Sequence, residues 1–280
     1  MSTKKILVPH DFSNVADNAV NHAIRVAQIS GAEIILLHVI PNDEELKETK
    51  KKLQDKADYF NKETKDKIVF LTQIRIGNIF EDIGDFASES NVELIFMGTH
   101  GASGWQKIIG SHALKIITHS KVPFIVVQEK TIKETGFDDI VVPLDLHKET
   151  KQKLTMVAKM SKYFDSRVHI ITPDESDEFL KHQVQANIQF AKKYFGERNI
   201  EVTAKVAPSS DFDKEIVSHA TSLNADLITI MNIQKNSLLG LFTNNYEQYM
   251  ITNEAQIPVM IINPISMTTS SGILANLAGI

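Results

Sequence analysis

Short β-branched and apolar runs alternate along this chain with segments whose apolar residues recur at helical spacing. In the first half, Ile6 to Pro9, Ile34 to Val39, Ile68 to Ile76, Leu94 to Met97 and Phe124 to Val127 have the length and composition of buried strands. Between them, Ala16, Val20, Ala23, Ile24 and Ala27 form an apolar stripe, with Ser13 placed as its N-cap. Leu46, Leu53, Ala57 and Phe60 predict a thinner stripe on a charged surface helix. Asn78 and Glu81 look like a capping pair that opens a helix carrying Ile79, Ile83, Phe86 and Ala87 inward. The second half repeats the rhythm with Leu154, Val157 and Ala158, then Phe179, Ala186 and Phe190, then Phe212, Ile216 and Ala220. Strand alternating with helix implies parallel pairing and right-handed crossovers. The predicted class is α/β, with two tandem doubly wound five-stranded parallel sheets.

The repeat is a duplication displaced by about 134 positions. Lys5-Ile6-Leu7-Val8-Pro9-His10-Asp11 matches Asp139-Ile140-Val141-Val142-Pro143-Leu144-Asp145, and Val122-Pro123-Phe124-Ile125-Val126-Val127 matches Ile257-Pro258-Val259-Met260-Ile261-Ile262. Domains are therefore expected at 1–130 and 137–264, joined by a linker in Gln128 to Asp138 and followed by a tail at 265–280 that has no counterpart in the first half. Only the first copy keeps glycine at the matched positions after its fourth strand. After its fourth strand the first reads Gly98-Thr99-His100-Gly101 and continues to Gly110-Ser111, whereas the second reads Met231-Asn232-Ile233-Gln234 and later Asn245-Tyr246. If these glycines bind something, one half binds it and the other does not.

In an open parallel sheet a ligand sits outside the carboxyl ends of the strands, where strand order reverses. Asp11, Val39 and Gly98 to Gly101 fall at such ends, and glycine there lets backbone approach a ligand. Gly110-Ser111 opens the last helix of the first half, whose free N–H groups and positive dipole end suit a phosphate. Asp11 has a second reading as the cap of its own turn. His10, His38, His100 and His112 lie near this mouth, yet adjacent side chains on a strand diverge, and no metal site is expected. Trp105 and Phe242 read as loop residues that fold back over their own loops, and the tail 266–280 as a hinge with a short apolar end; contact with a partner or a neighbouring chain is the alternative for each.

Composition narrows the partners. The chain has 280 residues, a net charge of -5 and a pI near 6.1, which speaks against a nucleic-acid surface. Lys50-Lys51-Lys52 stands among Glu and Asp. The absence of cysteine excludes disulfides, thiolate zinc sites and a Cys nucleophile. Neither a signal-peptide core nor a membrane-length apolar run is read, so the expected location is the cytoplasm, with no membrane partner.

The chain resembles the universal stress proteins. The residues that carry the resemblance are Ile6 to Asp11, Leu37-His38-Val39, Met97-Gly98-Thr99-His100-Gly101, Gly110-Ser111 and Val122 to Val127. In ATP-binding members the phosphate loop is Gly, two residues, Gly, nine residues, Gly, then Ser or Thr. Here eight residues, Ala102 to Ile109, separate Gly101 from Gly110, shortening the loop by up to ~3.5 Å of chain. The resemblance implies a Rossmann-like fold of the adenine-nucleotide alpha-hydrolase type, with the halves packed as an internal pseudo-dimer and a homodimer of chains as a further assembly. It implies a site for ATP or AMP, with Mg as the accompanying ion, built from Pro9, His10, Asp11, Val39, Met97, Gly98, His100, Gly101, Gly110, Ser111 and His112. Asp11 would hold the ribose or adenine side, Val39 would meet adenine through its backbone, and the glycines with Ser111 would hold phosphates. No carboxylate base stands beside the expected phosphate position to argue for catalysis. The expected role is a stress-response sensor or adaptor with an unidentified protein partner. A scaffold that binds no nucleotide and a slow ATPase are the alternatives.

Overall fold

The computed structural model describes residues 3–99, 111–144, 150–232 and 246–264. The chain divides into two compact units, Met1–Gly136 and Phe137–Ile280. His100, Gly101, Gly110, Trp105, Asp145, Phe242 and the tail lie outside the described residues, as do the side chains of Ser111 and His112.

The first unit runs β1 (Lys5–Pro9), α1 (Asn14–Ser30), β2 (Glu33–Ile40), α2 (Leu46–Glu63), β3 (Phe70–Ile76), α3 (Ile79–Glu89), β4 (Leu94–Gly98), α4 (Ser111–His119) and β5 (Phe124–Val127). Its strands lie in the order β3-β2-β1-β4-β5, and their pairings are parallel. The second unit runs β6 (Asp139–Pro143), α5 (Thr150–Phe164), β7 (Arg167–Pro173), α6 (Glu178–Gly196), β8 (Val202–Ala207), α7 (Phe212–Ser222), β9 (Leu227–Met231), α8 (Tyr246–Ile251) and β10 (Val259–Ile262). Its order, β8-β7-β6-β9-β10, is the same walk through a duplicated sheet. Both are doubly wound parallel sheets, as the alternation of periods predicts.

Central strands are buried on both faces, which explains why β1, β4 and β5 read as unbroken apolar runs. Phe96 and Phe124 are fully enclosed, each contributing roughly 2 to 3 kcal/mol by leaving water. On α1 the predicted stripe is the buried face, the Ser13 hydroxyl accepts from the Ala16 N–H at 3.2 Å, and Gly31, at φ 69°, closes the helix in the left-handed region.

Several boundaries and faces differ from the sequence expectation. β2 extends one residue past Val39 to Ile40, and β3 starts at Phe70, with Ile68 buried ahead of it. On α2, Leu46 is 37% exposed, and Thr49 takes its place beside Leu53, Ala57 and Phe60. Asn78 does cap α3 through the Phe80 N–H, yet the carboxylate that answers its own N–H is Asp82, at 2.6 Å, and not Glu81. The largest difference is on α6. Phe179, Ala186 and Phe190 face outward, and the buried stripe is Val184, Ile188, Ala191 and Phe195. Two apolar stripes coexist on that helix. The one spaced four, three and four is the better helical match and wins the sheet.

Candidate functional site

Strand order reverses between β1 and β4, and the two strands part there. Their ladder covers only Ile6↔Leu94 and Leu7↔Ile95. By contrast β1 stays paired with β2 as far as Pro9↔Leu37, and β4 with β5 as far as Gly98↔Val127. Pro9 lacks the N–H that would extend a ladder. The carboxyl ends of β1 and β4 therefore frame a crevice, with Asp11 and Ser13 on one side and Gly98 and Thr99 on the other. This is the place where open α/β sheets take ligands.

Gly98 has a structural reason to be glycine. A Cβ there would lie 2.7 Å from the carbonyl oxygen of Val15 and 2.8 Å from its carbonyl carbon, both backbone atoms that cannot step aside. The first turn of α1 thus rests directly on the end of β4, and its N-terminus points at the crevice. Thr99 is buried and donates its N–H to the Val127 carbonyl at 2.9 Å, fixing where the chain leaves the strand. Met97 and Val39 are buried in their strands, at 2% and 7% exposure; the backbone of Met97 is turned to β5, as those of Ile95 and Thr99 are, whereas that of Val39 faces the β1 side, beyond the last β1–β2 pair.

Asp11 caps its own turn. Its Oδ1 accepts from the Ser13 N–H at 3.1 Å and from the Ser13 hydroxyl at 2.5 Å, while the residue stays partly exposed. Between them Phe12 takes φ 67°, a region that costs a non-glycine residue strain. Local bonds hold it there. The Phe12 N–H donates to His10 Nδ1 at 3.0 Å, and its ring lies 4.8 Å from that of His38.

His10 is fully buried and works within the protein. Because Nδ1 accepts from Phe12, Nε2 carries the proton and donates to Asp17 Oδ1 at 3.0 Å. Its backbone N–H donates to the Leu37 carbonyl at 2.8 Å, and its carbonyl accepts from His38 Nδ1 at 2.6 Å. Asp17 in turn binds Lys56 Nζ through both oxygens, at 2.8 and 2.7 Å. Burial works to raise the Asp17 pKa, but the hydrogen bonds from His10 and Lys56 hold it below the ordinary carboxylate value. Burial pushes His38 below the usual histidine value, against the pull of its hydrogen bond to the His10 carbonyl. The turn bearing Asp11 is thereby tied through His10 and Asp17 to α2. Asp17 and Lys56 carry no signal in the sequence that marks them as partners of this turn. Asp17 reads as one more acidic residue in a first helical turn, and Lys56 is one of several lysines on a charged helix.

The second unit parts its strands in the same way, with β6 and β9 paired only at Ile140↔Leu227 and Val141↔Ile228. Its crevice is furnished differently. Met231, buried at 4% exposure, stands where the first unit has Gly98. Lys153, buried at 3% exposure, reaches from α5 to donate to the Pro143 carbonyl. Among the described residues no group of three or more His, Cys, Asp or Glu is placed to hold a metal ion, and no helix is long and apolar enough to cross a membrane.

Comparison with known proteins agrees with this geometry. The sequence profile of the universal stress protein family matches residues 2–128. A universal stress protein of Methanocaldococcus jannaschii is 31% identical over 159 residues, covering 45% of this chain and 96% of that protein. Universal stress protein G of Escherichia coli O157:H7 is 27% identical over 144 residues, covering 45% of this chain and 99% of its own. The crystal structure of a universal stress protein from Archaeoglobus fulgidus superimposes with a TM-score of 0.72 at 20% identity, over 94% of this chain and 97% of that one, a likeness of fold. With a sheet, a crevice and a sequence match of this kind in the first unit and the same sheet repeated in the second, the chain belongs to the universal stress protein family, in its tandem two-domain form.

Proposed function

We propose that the first unit binds an adenine nucleotide, ATP or AMP, in the β1/β4 crevice, and that the protein works as a nucleotide-responsive sensor or adaptor in a stress response and not as a fast enzyme. The observation that carries this reading is the contrast between the crevices. In the first unit the strand end is Gly98 and the turn side carries a partly exposed Asp11, whereas Met231 and Lys153 occupy the matching region of the second. Under this reading Asp11 accepts from a sugar hydroxyl through the carboxylate oxygen that Ser13 does not use. Val39 offers backbone, and Met97 supports the end of β4 from within the sheet. His100, Gly101, Gly110, Ser111 and His112 would surround the phosphates, with Mg as counter-ion. The dipole ends of α1 and α4 favour negative charge in the crevice. His10 supports the turn from behind.

The test is titration calorimetry of the full chain with ATP and with AMP, alongside mass spectrometry of any nucleotide that co-purifies. Binding at one site per chain, weakened ~10-fold or more by Asp11→Asn, is the expected result; one lost hydrogen bond to a charged group is worth roughly 1.5 to 3 kcal/mol. Asn keeps the oxygen that caps Ser13, so the turn survives the substitution. Failure of both nucleotides to bind would favour the scaffold reading, whose supporting feature is the eight-residue spacer between Gly101 and Gly110.

A further inference from the structure

A second cluster of reactive groups lies in the other unit, on one face of β6, β7 and β8. His169 Nε2 is 2.8 Å from Asp139 Oδ1, and His169 Nδ1 is 2.9 Å from the Thr203 hydroxyl. Arg167 clasps the same carboxylate, Nε on Oδ1 at 2.8 Å and Nη2 on Oδ2 at 2.7 Å. A carboxylate only accepts, so His169 carries its proton on Nε2. Nδ1 is left as an acceptor, and the Thr203 hydroxyl donates to it. Asp139 and His169 are buried, while Thr203 is exposed on the edge strand β8.

The fold does not require this set. At the matching positions of the first unit the cross-strand pair is Ile35↔Leu71 where the second has His169↔Thr203, and Lys5↔Glu33 where the second has Asp139↔Arg167. The same sheet is made there with an apolar pair, so a buried imidazole and a hydroxyl are additions to it.

We propose that Thr203 is an activated nucleophile, with His169 as its general base and Asp139 orienting that base, and that this site accepts acyl groups from small, unhindered esters. The arrangement has the order nucleophile, base, orienting carboxylate that acyl transfer uses. Thr203 Oγ attacks the ester carbonyl carbon while its proton passes to His169 Nδ1. The tetrahedral intermediate then expels the alcohol oxygen, which takes the proton back from His169 and leaves the acyl group on Thr203. Water then gives a proton to the same nitrogen and attacks that ester; the bond to Thr203 Oγ breaks, Oγ takes the proton back from His169, and the acyl group leaves as the carboxylic acid.

Charge developing on the carbonyl oxygen has two donors at hand. The Val168 N–H donates to the Glu201 carbonyl, and in a parallel ladder that places the Thr203 amide toward β7 and the next amide, Ala204, outward along the free edge. Lys205, two residues on, projects from the same face as Thr203. The exposed hydroxyl sets the substrate class, since a good leaving group must substitute for a deep cleft. Arg167 competes with His169 for Asp139 and restrains the base.

The test uses the full chain with p-nitrophenyl acetate, following nitrophenolate release and locating the acetyl group by peptide mass spectrometry. Acetyl on Thr203 is expected. His169→Asn should slow its appearance by ~10²-fold or more, the ordinary contribution of a positioned base. Thr203→Ser should retain the reaction and Thr203→Val should abolish it at that peptide. Arg167→Gln should accelerate it, because Asp139 then serves His169 alone; a purely structural ion pair would give no acceleration. Acetyl confined to lysines, or equal Thr203 labelling in the native chain and His169→Asn, overturns the proposal. Nucleotide binding in the first unit is measured separately and is indifferent to either result.

Discussion

At the scale of single residues, buried polar groups with fixed partners set how the first unit responds to substitution and to pH. Asp17 serves His10 on one side and Lys56 on the other, and both ends of the Lys56 pair are less than a third exposed. Replacing Lys56 by Met is expected to cost about 1 kcal/mol, the upper part of the range for partly exposed pairs. Asp17→Ala should cost more, roughly 2 kcal/mol, because the imidazole of His10 then keeps a buried donor without its acceptor. Urea midpoints of the two variants check the order. His22 gives the clearest pH effect. Burial depresses its pKa from 6.5 to about 4, although its ring donates to the Lys130 carbonyl. A base whose folded value is depressed contributes full stability above the unfolded value. That stability declines as pH falls from 6.5 towards 4, since the unfolded chain binds the proton more readily. Between pH 7 and pH 5 the native chain should lose roughly 2 kcal/mol through this group. His22→Gln, which keeps a donor without titrating, should flatten that part of the stability curve. His38 acts in the same direction.

At the scale of elements, matched positions of the two units carry opposite demands. Gly98→Ala brings a Cβ to 2.7 Å from the Val15 carbonyl oxygen, and such overpacking costs roughly 1 to 3 kcal/mol. Met231 fills the same strand end in the second unit. Met231→Ala is expected to cost roughly 2 to 5 kcal/mol by opening a cavity. Loss of ligand binding in a Gly98 variant would therefore reflect a displaced α1 as much as a lost contact. On α6, Phe195→Ala should cost roughly 3 to 5 kcal/mol, whereas Phe179→Ser, at a residue 68% exposed, should stay within about 0.5 kcal/mol. Thermal unfolding of the four variants separates a buried stripe from an exposed one, and equal effects of Phe179→Ser and Phe195→Ala would contradict the assignment of faces.

At the scale of the whole molecule, the duplicated fold furnishes matching strand ends differently in its two units, Gly98 in the first and Met231 with Lys153 in the second. A stoichiometry of one nucleotide per chain is the expected outcome of calorimetry, unaffected by Lys153→Ala, because the second crevice also lacks a glycine at the strand end. A stoichiometry near two would show that Met231 and Lys153 do not exclude a ligand. Trp105, the single tryptophan of the chain, lies in sequence between Gly101 and Gly110. Its emission is expected to shift when ATP or AMP is added, reporting whether the glycine segment answers to the ligand. Hydrolysis at ~1 per second or faster, an ordinary enzyme rate, without such a shift would promote the enzyme alternative over the sensor.

The sequence by itself determined the duplication, the alternation of strand and helix and hence the doubly wound sheets, because these rest on periodicity over many residues. It also placed the crevice, since Pro9, Asp11 and Gly98 mark strand ends in any register of that pattern. Which face of α6 turns inward was not settled by composition, as both of its stripes are apolar and only packing against the sheet chooses between them. The partners of His10 were equally hidden. The bonds that fix its tautomer come from Phe12, two residues away, and Asp17, seven residues away, and Lys56 completes the chain from 39 residues beyond Asp17. The same holds for Gly98, whose contact with Val15 is made across 83 positions of chain, and for the meeting of Asp139, His169 and Thr203 from three strands. Periodic burial is written locally and can be read in order along the chain. The pairing of single polar groups depends on which strands and helices the fold brings together, and only the tertiary structure decides that.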